Sequence, residues 1–476
     1  MSNDTAAVAA PERGLLARLF GGFRLAYLPV LAVYFTFGAG ALTGVATVFL
    51  QKDTLQLTPA EVAGIGFWLG LPWSMKMVAG VASDRFPILG SRRSAYLLLG
   101  ALCTLAGYAL TATVVATKGE YLLAMLLVTV GFMIQDVVAD ALSVELARDD
   151  EELGQIQALG RMALLAGGIS VAYLGGWLAA HIGAREVFAA AMALPFLVVL
   201  TLPILWRMPR RPAPPAEAGP LGHGRAGLVL AVGLGYAALG IALNFLEAPY
   251  AQEVVLAVSL ALVGFLLKRM GVTRAVLVAA GVIFLFRAMP GVGQGYSYWA
   301  IDQLGFDQKF LGVLGQASAV FGLVGLLVFR KAIVSRPVSF TLFWVLIAGS
   351  ILSLPTIGLY YGVHEWLGVS ARTFAFIDTT ISAPLSQLTM VPMLILIAKS
   401  APRGAEATMF AIMASWMNLA LSASELFTQY VNQAFAVTQQ DYSNLGLLMI
   451  SVTLIGLLPL LAIPLLRRHE QALHHG

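Results

Sequence analysis

The stretch Trp68-Leu69-Gly70-Leu71-Pro72-Trp73-Ser74-Met75-Lys76-Met77-Val78-Ala79-Gly80-Val81-Ala82-Ser83-Asp84-Arg85-Phe86-Pro87-Ile88-Leu89-Gly90-Ser91-Arg92-Arg93 decides the fold. An apolar run carries one lysine, Lys76, and leaves the membrane through two charged pairs, Asp84-Arg85 and Arg92-Arg93. An ionisable side chain in hydrocarbon costs roughly 2.5–3.5 kcal/mol even on insertion scales. A chain retains such a group where it faces protein, water or a ligand. The stretch therefore predicts a membrane helix with a polar inner face and a charged exit loop.

The rest of the chain agrees with a membrane setting. Of its 476 residues 59% are hydrophobic and 11% charged, where soluble domains carry about 25% charge. Mean hydropathy is +0.83. These values predict an all-α polytopic membrane protein. A single cysteine, Cys103, excludes an internal disulfide and any Cys-based zinc or iron–sulfur site. The six His are scattered, so no metal-ligand spacing exists. No phosphate-cradling glycine loop and no cofactor motif is present, which argues against an ATPase or other enzyme. The basic isoelectric point, near 9.1, comes from residues strung along one side of the membrane. That pattern reports topology and gives no nucleic-acid patch. Residues 1–25 lack a cleavable apolar region and read as a cytosolic tail.

Apolar runs long enough to cross, about 20 residues, fall at 26–50, 60–82, 94–116, 121–147, 156–180 and 186–206. A Pro-rich linker over 207–226 follows, then an extra pair at 227–246 and 251–267, the second short enough to be re-entrant or tilted. Six more runs lie at 275–300, 308–330, 338–362, 372–399, 405–436 and 443–466. The order is six, two and six, about 14 spans. It divides the chain into an N-terminal half over 26–206, an extra pair over 227–270, a C-terminal half over 271–467 and a cytosolic tail over 468–476. Most of the 29 Lys and Arg residues fall on one side of these spans. Lys52, Lys118, Arg185, Lys309 and Arg372 fall on the other, and Lys76, Arg161 and Arg287 lie inside. The bias puts both termini in the cytosol.

The two sixes resemble each other in layout. The first span ends near Leu57-Thr58-Pro59, and the first span of the second six ends near Phe306-Asp307-Gln308, with Thr58 and Asp307 as candidate helix caps. Related halves imply a site at their interface and a rocking motion about it.

The loop residues Gly80, Asp84-Arg85 and Arg92-Arg93 resemble the cytosolic motif of the major facilitator superfamily. The longer gap between the pairs is similar to the folate–biopterin transporter family and, less closely, to muropeptide permeases. Phe49-Leu50-Gln51-Lys52-Asp53, Pro72-Trp73, Lys76, Asp136-Val137-Val138-Ala139-Asp140, Glu145, Phe286, Pro290 and Glu406 through Phe410 extend the likeness to the first of these families along most of the chain. Met77 departs from it where the family has proline, and Leu159-Gly160-Arg161 looks more like the permeases. The resemblance implies a major facilitator fold of two six-helix halves and transport of a pterin- or folate-like solute. The extra helix pair has no secure counterpart in it.

The charged residues inside the spans form the candidate site. Asp136 and Asp140 are one turn apart on one helix face. Counting along ideal helices puts Lys76, Asp140 and Arg161 at one depth, with Asp136 a turn nearer the midplane. The set is near neutral, which is how buried charges survive. It reads either as a static network pinning three helices or as groups that contact solute or carry a proton, with Asp136 the preferred carrier. Asp84, Arg85, Arg92 and Arg93 read as a gate latch. In the second half, Arg287 precedes Ala288-Met289-Pro290-Gly291-Val292-Gly293-Gln294, which can break the helix and expose carbonyls. Arg287 suits a carboxylate through a bidentate fork; Gln294 is a candidate solute-binding or coupling group; and Glu425 suits the donor edge of an aminopyrimidinone, a coupling carboxylate or a partner for Arg287. Asp378 reads as a solvated boundary residue, Tyr298 and Trp299 as part of an aromatic belt, and Asn418 and Gln387 as helix–helix hydrogen-bonding groups.

These features lead to an expected secondary active transporter of the inner membrane, a monomer in the bilayer working as a proton symporter by alternating access, with no cofactor and no metal. A muropeptide or other amphiphilic-metabolite permease is the rival within the fold. A non-transporting membrane scaffold or cofactor-delivery protein is the rival outside it.

Overall fold

The structure, a computed structural model, describes residues 23–208, 223–246, 248–269, 273–386, 390–400 and 406–475. Most of the expected N-terminal tail, most of the 207–226 linker and Gln387 lie outside the described residues. The described chain is all helical apart from turns and one isolated bridge between Ile88 and Ser91.

The helices that position the site are numbered in chain order. They are α1 (Leu28–Ala39), α2 (Pro59–Ser74), α3 (Lys76–Arg85), α4 (Ser94–Thr113), α5 (Lys118–Leu146) and α6 (Asp150–Ile182). The central pair is α7 (His223–Phe245) and α8 (Ala251–Arg269). There follow α9 (Arg274–Arg287), α10 (Gly295–Leu304), α11 (Gln308–Ser335), α12 (Val338–Tyr360), α13 (Ala371–Ser386), α14 (Met390–Ser400), α15 (Glu406–Ala434) and α16 (Leu445–Ile455).

Among the described residues, 8 helical stretches are long and apolar enough to cross a membrane: Leu25–Thr54, Ser94–Thr113, Lys118–Leu146, Asp150–Ile182, Ala184–Trp206, Gln308–Phe329, Val338–Tyr360 and Leu445–Arg468. Large apolar side chains such as Leu102, Leu200, Trp344, Ile351 and Leu354 are exposed along them. Water would not tolerate such a surface, and lipid does. The chain is an integral membrane protein.

Local chemistry explains where the helices start and stop. Thr58 accepts from the backbone N–H of Glu61 while the Glu61 carboxylate returns to the Thr58 N–H, a capping box that starts α2. Thr117 and Glu120 do the same for α5. Asp307 accepts from Phe310 N at 2.7 Å and starts α11. The run expected as one continuous span over 60–82 is two helices. Pro72 lies inside α2, Met75 leaves the helical region, and Lys76 begins a second helix. The Trp73 carbonyl at this break accepts from Asn418 Nδ2 on α15 at 3.0 Å.

Helices in lipid associate by close packing and hydrogen bonds rather than by expelling water. Accordingly, α1 lies along α6, α2 along α15, and α6 along α11. The α6–α11 crossing is made by two glycines: a Cβ on Gly312 would sit 3.0 Å from the Gly176 Cα. The central pair is part of the bundle. Tyr236 and Ser259 tie α7 to α8 at 2.5 Å. Val255, Leu256, Val263 and Leu267 of α8 share a core with Met413 and Met417 of α15 and with Phe67 and Leu71 of α2. Tyr298 and Trp299 are 0% and 7% exposed, in a core with Tyr442 and Leu445. They are packing residues and not the expected aromatic belt.

Candidate functional site

In the first six helices the candidate charges meet across α3, α5 and α1. Lys76 Nζ pairs with Asp136 Oδ2 and sits 5.0 Å over the Trp73 ring. Lys76 is the first residue of α3, where the positive end of the helix dipole opposes a cation; Asp136 offsets both charges. Asp140, one turn along, accepts from Tyr34 Oη at 2.5 Å. The Tyr34 ring rests on Gly160 of α6, next to Arg161. Arg161 is exposed and forms no ion pair among the described residues. Depth counting had grouped Lys76 with Asp140 and Arg161, whereas the structure joins it to Asp136 and gives Asp140 to Tyr34. The count assumed an unbroken helix, and the break at Met75 redirects Lys76. Tyr34 was missed; its only signal was a phenol inside an apolar span.

Next to the break before Lys76, α15 presents two polar stripes. Asn418, Ser422, Glu425 and Gln429, spaced by three and four residues, face α2. Gly66 makes room for the carboxylate, since a Cβ there would lie 2.8 Å from Glu425 Oε2. Gln252 of α8 reaches the same seam and donates to the Gly64 carbonyl at 2.9 Å. The second stripe is Ser424, Thr428 and Asn432. Ser424 Oγ donates to the Met289 carbonyl at 2.6 Å, Thr428 Oγ1 accepts from Gly291 N at 2.8 Å, and Asn432 Nδ2 donates to the Val292 carbonyl at 3.1 Å. These bonds hold the break between α9 and α10 open as an ordered turn. The sequence expected its carbonyls to be exposed to solute; those of Met289 and Val292 are instead taken by α15, because a polar stripe at matching spacing lies beside them.

Two charges next to this break have no ion-pair partner among the described residues. Arg287, the last residue of α9, is partly buried, and its Nε has no hydrogen-bond partner. Glu425 is exposed although it lies mid-helix in the bundle, and no ion pair joins it to Arg287. Gln294 stands directly before α10 and accepts from Tyr298 N at 3.0 Å through its carbonyl. Phe37 of α1, Trp73 and Phe132 form an aromatic group beside Lys76, with ring centroids 5.4 Å apart in each of the pairs Phe37–Trp73 and Phe37–Phe132.

The two ends of the bundle are tied differently. At one end Arg93 binds Glu145 Oε1 at 2.5 Å, Asp84 Oδ1 at 2.8 Å and Ser83 Oγ at 3.2 Å. Burial opposes its charge, but Glu145 and Asp84 outweigh that and raise its pKa. Tyr96 Oη donates to the carbonyls of Ala82 and Phe86, fixing the turn that carries Leu89 and Gly90 at positive φ. Arg93 is thus the hub that joins α3, α4 and α5, and Glu145 is a partner the gate reading lacked. Arg85 and Arg92 flank it on the same loop. At the other end Lys52 binds Asp302 at 2.6 Å, Tyr442 Oη donates to Asp302 at 2.6 Å, and Gln439 donates to the Leu57 carbonyl at 2.8 Å. The Arg93 network stays within α3 to α5, and the Lys52 network joins the stretch before α2 to α10 and to Tyr442 before α16.

The BT1 family model matches residues 38–475. A folate-biopterin transporter of a Synechocystis species is 29% identical over 435 residues, which span 91% of this chain and 80% of that protein. Probable folate-biopterin transporter 4 of Arabidopsis thaliana is 24% identical over 459 residues, 90% of this chain and 93% of its own. Among solved structures, a POT family transporter in complex with a thioalcohol-conjugated peptide superposes with a TM-score of 0.69 at 14% identity, covering 93% of this chain and 96% of that one. The nucleoside transporter NupG gives 0.62 at 10% identity, with 93% and 100% covered. The fold is that of these transporters.

Proposed function

We propose, from the premise that this chain belongs to the BT1 family of membrane transporters, that it moves a pterin- or folate-like solute by alternating access between two six-helix halves. The halves, with the central pair, make fourteen passes, and the Lys and Arg bias supports cytosolic termini. The observation that carries the reading is a set of unpaired charges of both signs on inward helices: Arg161, Arg287 and Glu425. Such groups are costly in a bilayer unless they serve a solute or ion path. Arg287, with its unpaired Nε, suits a solute carboxylate. Glu425 suits the donor edge of an aminopyrimidinone ring, and Phe37 and Trp73 suit its flat face.

In this reading Asp136 carries the coupled proton. Protonation removes its attraction for Lys76 and loosens α3 from α5, while Arg93 keeps the loop end of α3 to α5 rigid. The Lys52–Asp302 clasp would hold the opposite face together.

Thermal stabilisation of the purified protein by folate, biopterin and an anhydromuropeptide tests the substrate class. A clear upward shift in Tm with a pterin or folate is expected. A flat response to both, with a shift for the anhydromuropeptide, would replace the reading by that of a muropeptide permease.

A further inference from the structure

Asp378 behaves differently from the solvated boundary residue that its position suggests. It lies seven residues into α13, about 10 Å along the helix axis, and lines a cavity of about 470 Å³ between α10, α11, α12 and α13. Thr356 Oγ1 donates to its Oδ2 at 2.7 Å, and Ser382 Oγ donates to its Oδ1 at 3.1 Å. Ser318 and Ser353 add two more hydroxyls to the lining.

What the cavity lacks is a positive charge. Among the described residues no Lys, Arg or His lines it. The one titratable group beside Asp378 is Tyr296, from α10; α11 and α12 contribute hydroxyls and apolar side chains. The nearest cation on α13 itself, Arg372, is held by Asp307 at 3.1 Å and by the Gly305 carbonyl at 2.8 Å. An ionised carboxylate inside a bundle needs a counter-charge. The hydroxyls that donate to Asp378 keep acceptor lone pairs, so carboxylate and hydroxyl oxygens of Asp378, Thr356 and Ser382 converge as hard ligands. Oxygen sets of this kind suit a small cation and not a soft metal.

We propose that this cavity is a cation site: Asp378, with Thr356 and Ser382, binds one small monovalent metal cation such as sodium, apart from the Lys76–Asp136 pair. The site sits where occupancy matters for transport. Tyr296 belongs to α10, which starts from the break held by α15, and α11 makes the Gly176–Gly312 crossing to the first six helices. A bound cation draws α12 and α13 together beside α10 and α11. Coupling of that event to solute movement rests on the transporter reading; binding itself does not.

The test is the melting temperature of the purified full chain, measured in sodium chloride against choline chloride at equal ionic strength. Wild type is expected to melt several degrees higher in sodium. Asp378→Asn, which mimics the neutral carboxyl, is expected to lose that response. Should it fail to fold, Thr356→Val, which keeps the carboxylate, is expected to need about tenfold more cation for the same shift, a change of about 1.4 kcal/mol. Wild type insensitive to sodium, or Asp378→Asn and Thr356→Val responding as wild type does, overturns the proposal. Folate and biopterin shifts on the same samples are read separately: their absence beside an intact cation response sinks the solute reading and leaves the cation site standing.

Discussion

Lys76 and Asp136 are the pair on which the most direct predictions rest. Removing one partner of a buried ion pair typically costs about 3–5 kcal/mol, because the other charge is stranded. Lys76 retains 30% exposure and Asp136 12%, so Lys76→Met belongs at the lower end of that range, read by thermal unfolding in detergent. If the pair is only a brace, stability falls and the residual folded protein still exchanges solute. Unchanged stability with lost transport identifies a working group instead. Asp136→Asn is expected to abolish uptake driven by a pH gradient and to spare solute exchange in proteoliposomes; driven uptake at the wild-type rate would remove Asp136 as the proton carrier. The charges of this cluster were legible in the sequence because an ionisable residue stands out in an apolar span. Their partners were not. Depth along a straight helix predicts level, and the break at Met75 alters direction; Tyr34 gives no signal until α1 is laid against α5 and α6.

At the scale of elements, α15 is the organising helix, with one stripe on α2 and another on the α9–α10 break. The second stripe makes a testable claim. Thr428→Val leaves the Gly291 N–H without its acceptor, and an unpaired buried backbone donor costs about 1–3 kcal/mol. Lower thermal stability is expected, together with faster hydrogen exchange confined to 288–294; exchange unchanged there would mean the turn holds without α15. The stripe was visible as the spacing of Ser424, Thr428 and Asn432, and the break as Pro290 with its glycines. That the one caps the other was not, because it depends on which helices become neighbours. The Thr58 and Asp307 caps were legible, since capping is settled within four residues.

For the whole molecule, the tie at the Lys52 end joins the stretch before α2 to α10 and to Tyr442 before α16. A buried lysine shared by Asp302 and Asp53, with Tyr442 on the same Asp302 carboxylate, closes that face. Lys52→Gln weakens the tie, so the populations open at that face rise. Cysteines placed at Leu57 and Gln439 in a Cys103→Ser background report it: a short bifunctional reagent is expected to link them efficiently with Lys52 present and several-fold less with Lys52→Gln. Equal yields would mean the packing of α6 on α11 and of α2 on α15 keeps this face shut without the ion pair. The all-helical membrane fold was legible from composition and apolar runs. Which end is tied was not, because Lys52 and Asp302 are 250 residues apart and each reads alone as a loop charge.

The polar stripes of α15 also bear on how the protein is made. Glu406–Ala434 has 29 residues, long enough to cross, yet it is not among the 8 stretches apolar enough to do so unaided. Asn418, Ser422, Glu425, Thr428 and Asn432 would each face lipid in a helix entering the bilayer alone. The partners of Asn418, Thr428 and Asn432, on α2 and the α9–α10 turn, are all earlier in the chain. During synthesis α15 therefore enters a membrane where its seats already exist, and any truncation or reordering that removes them strands it outside the hydrocarbon.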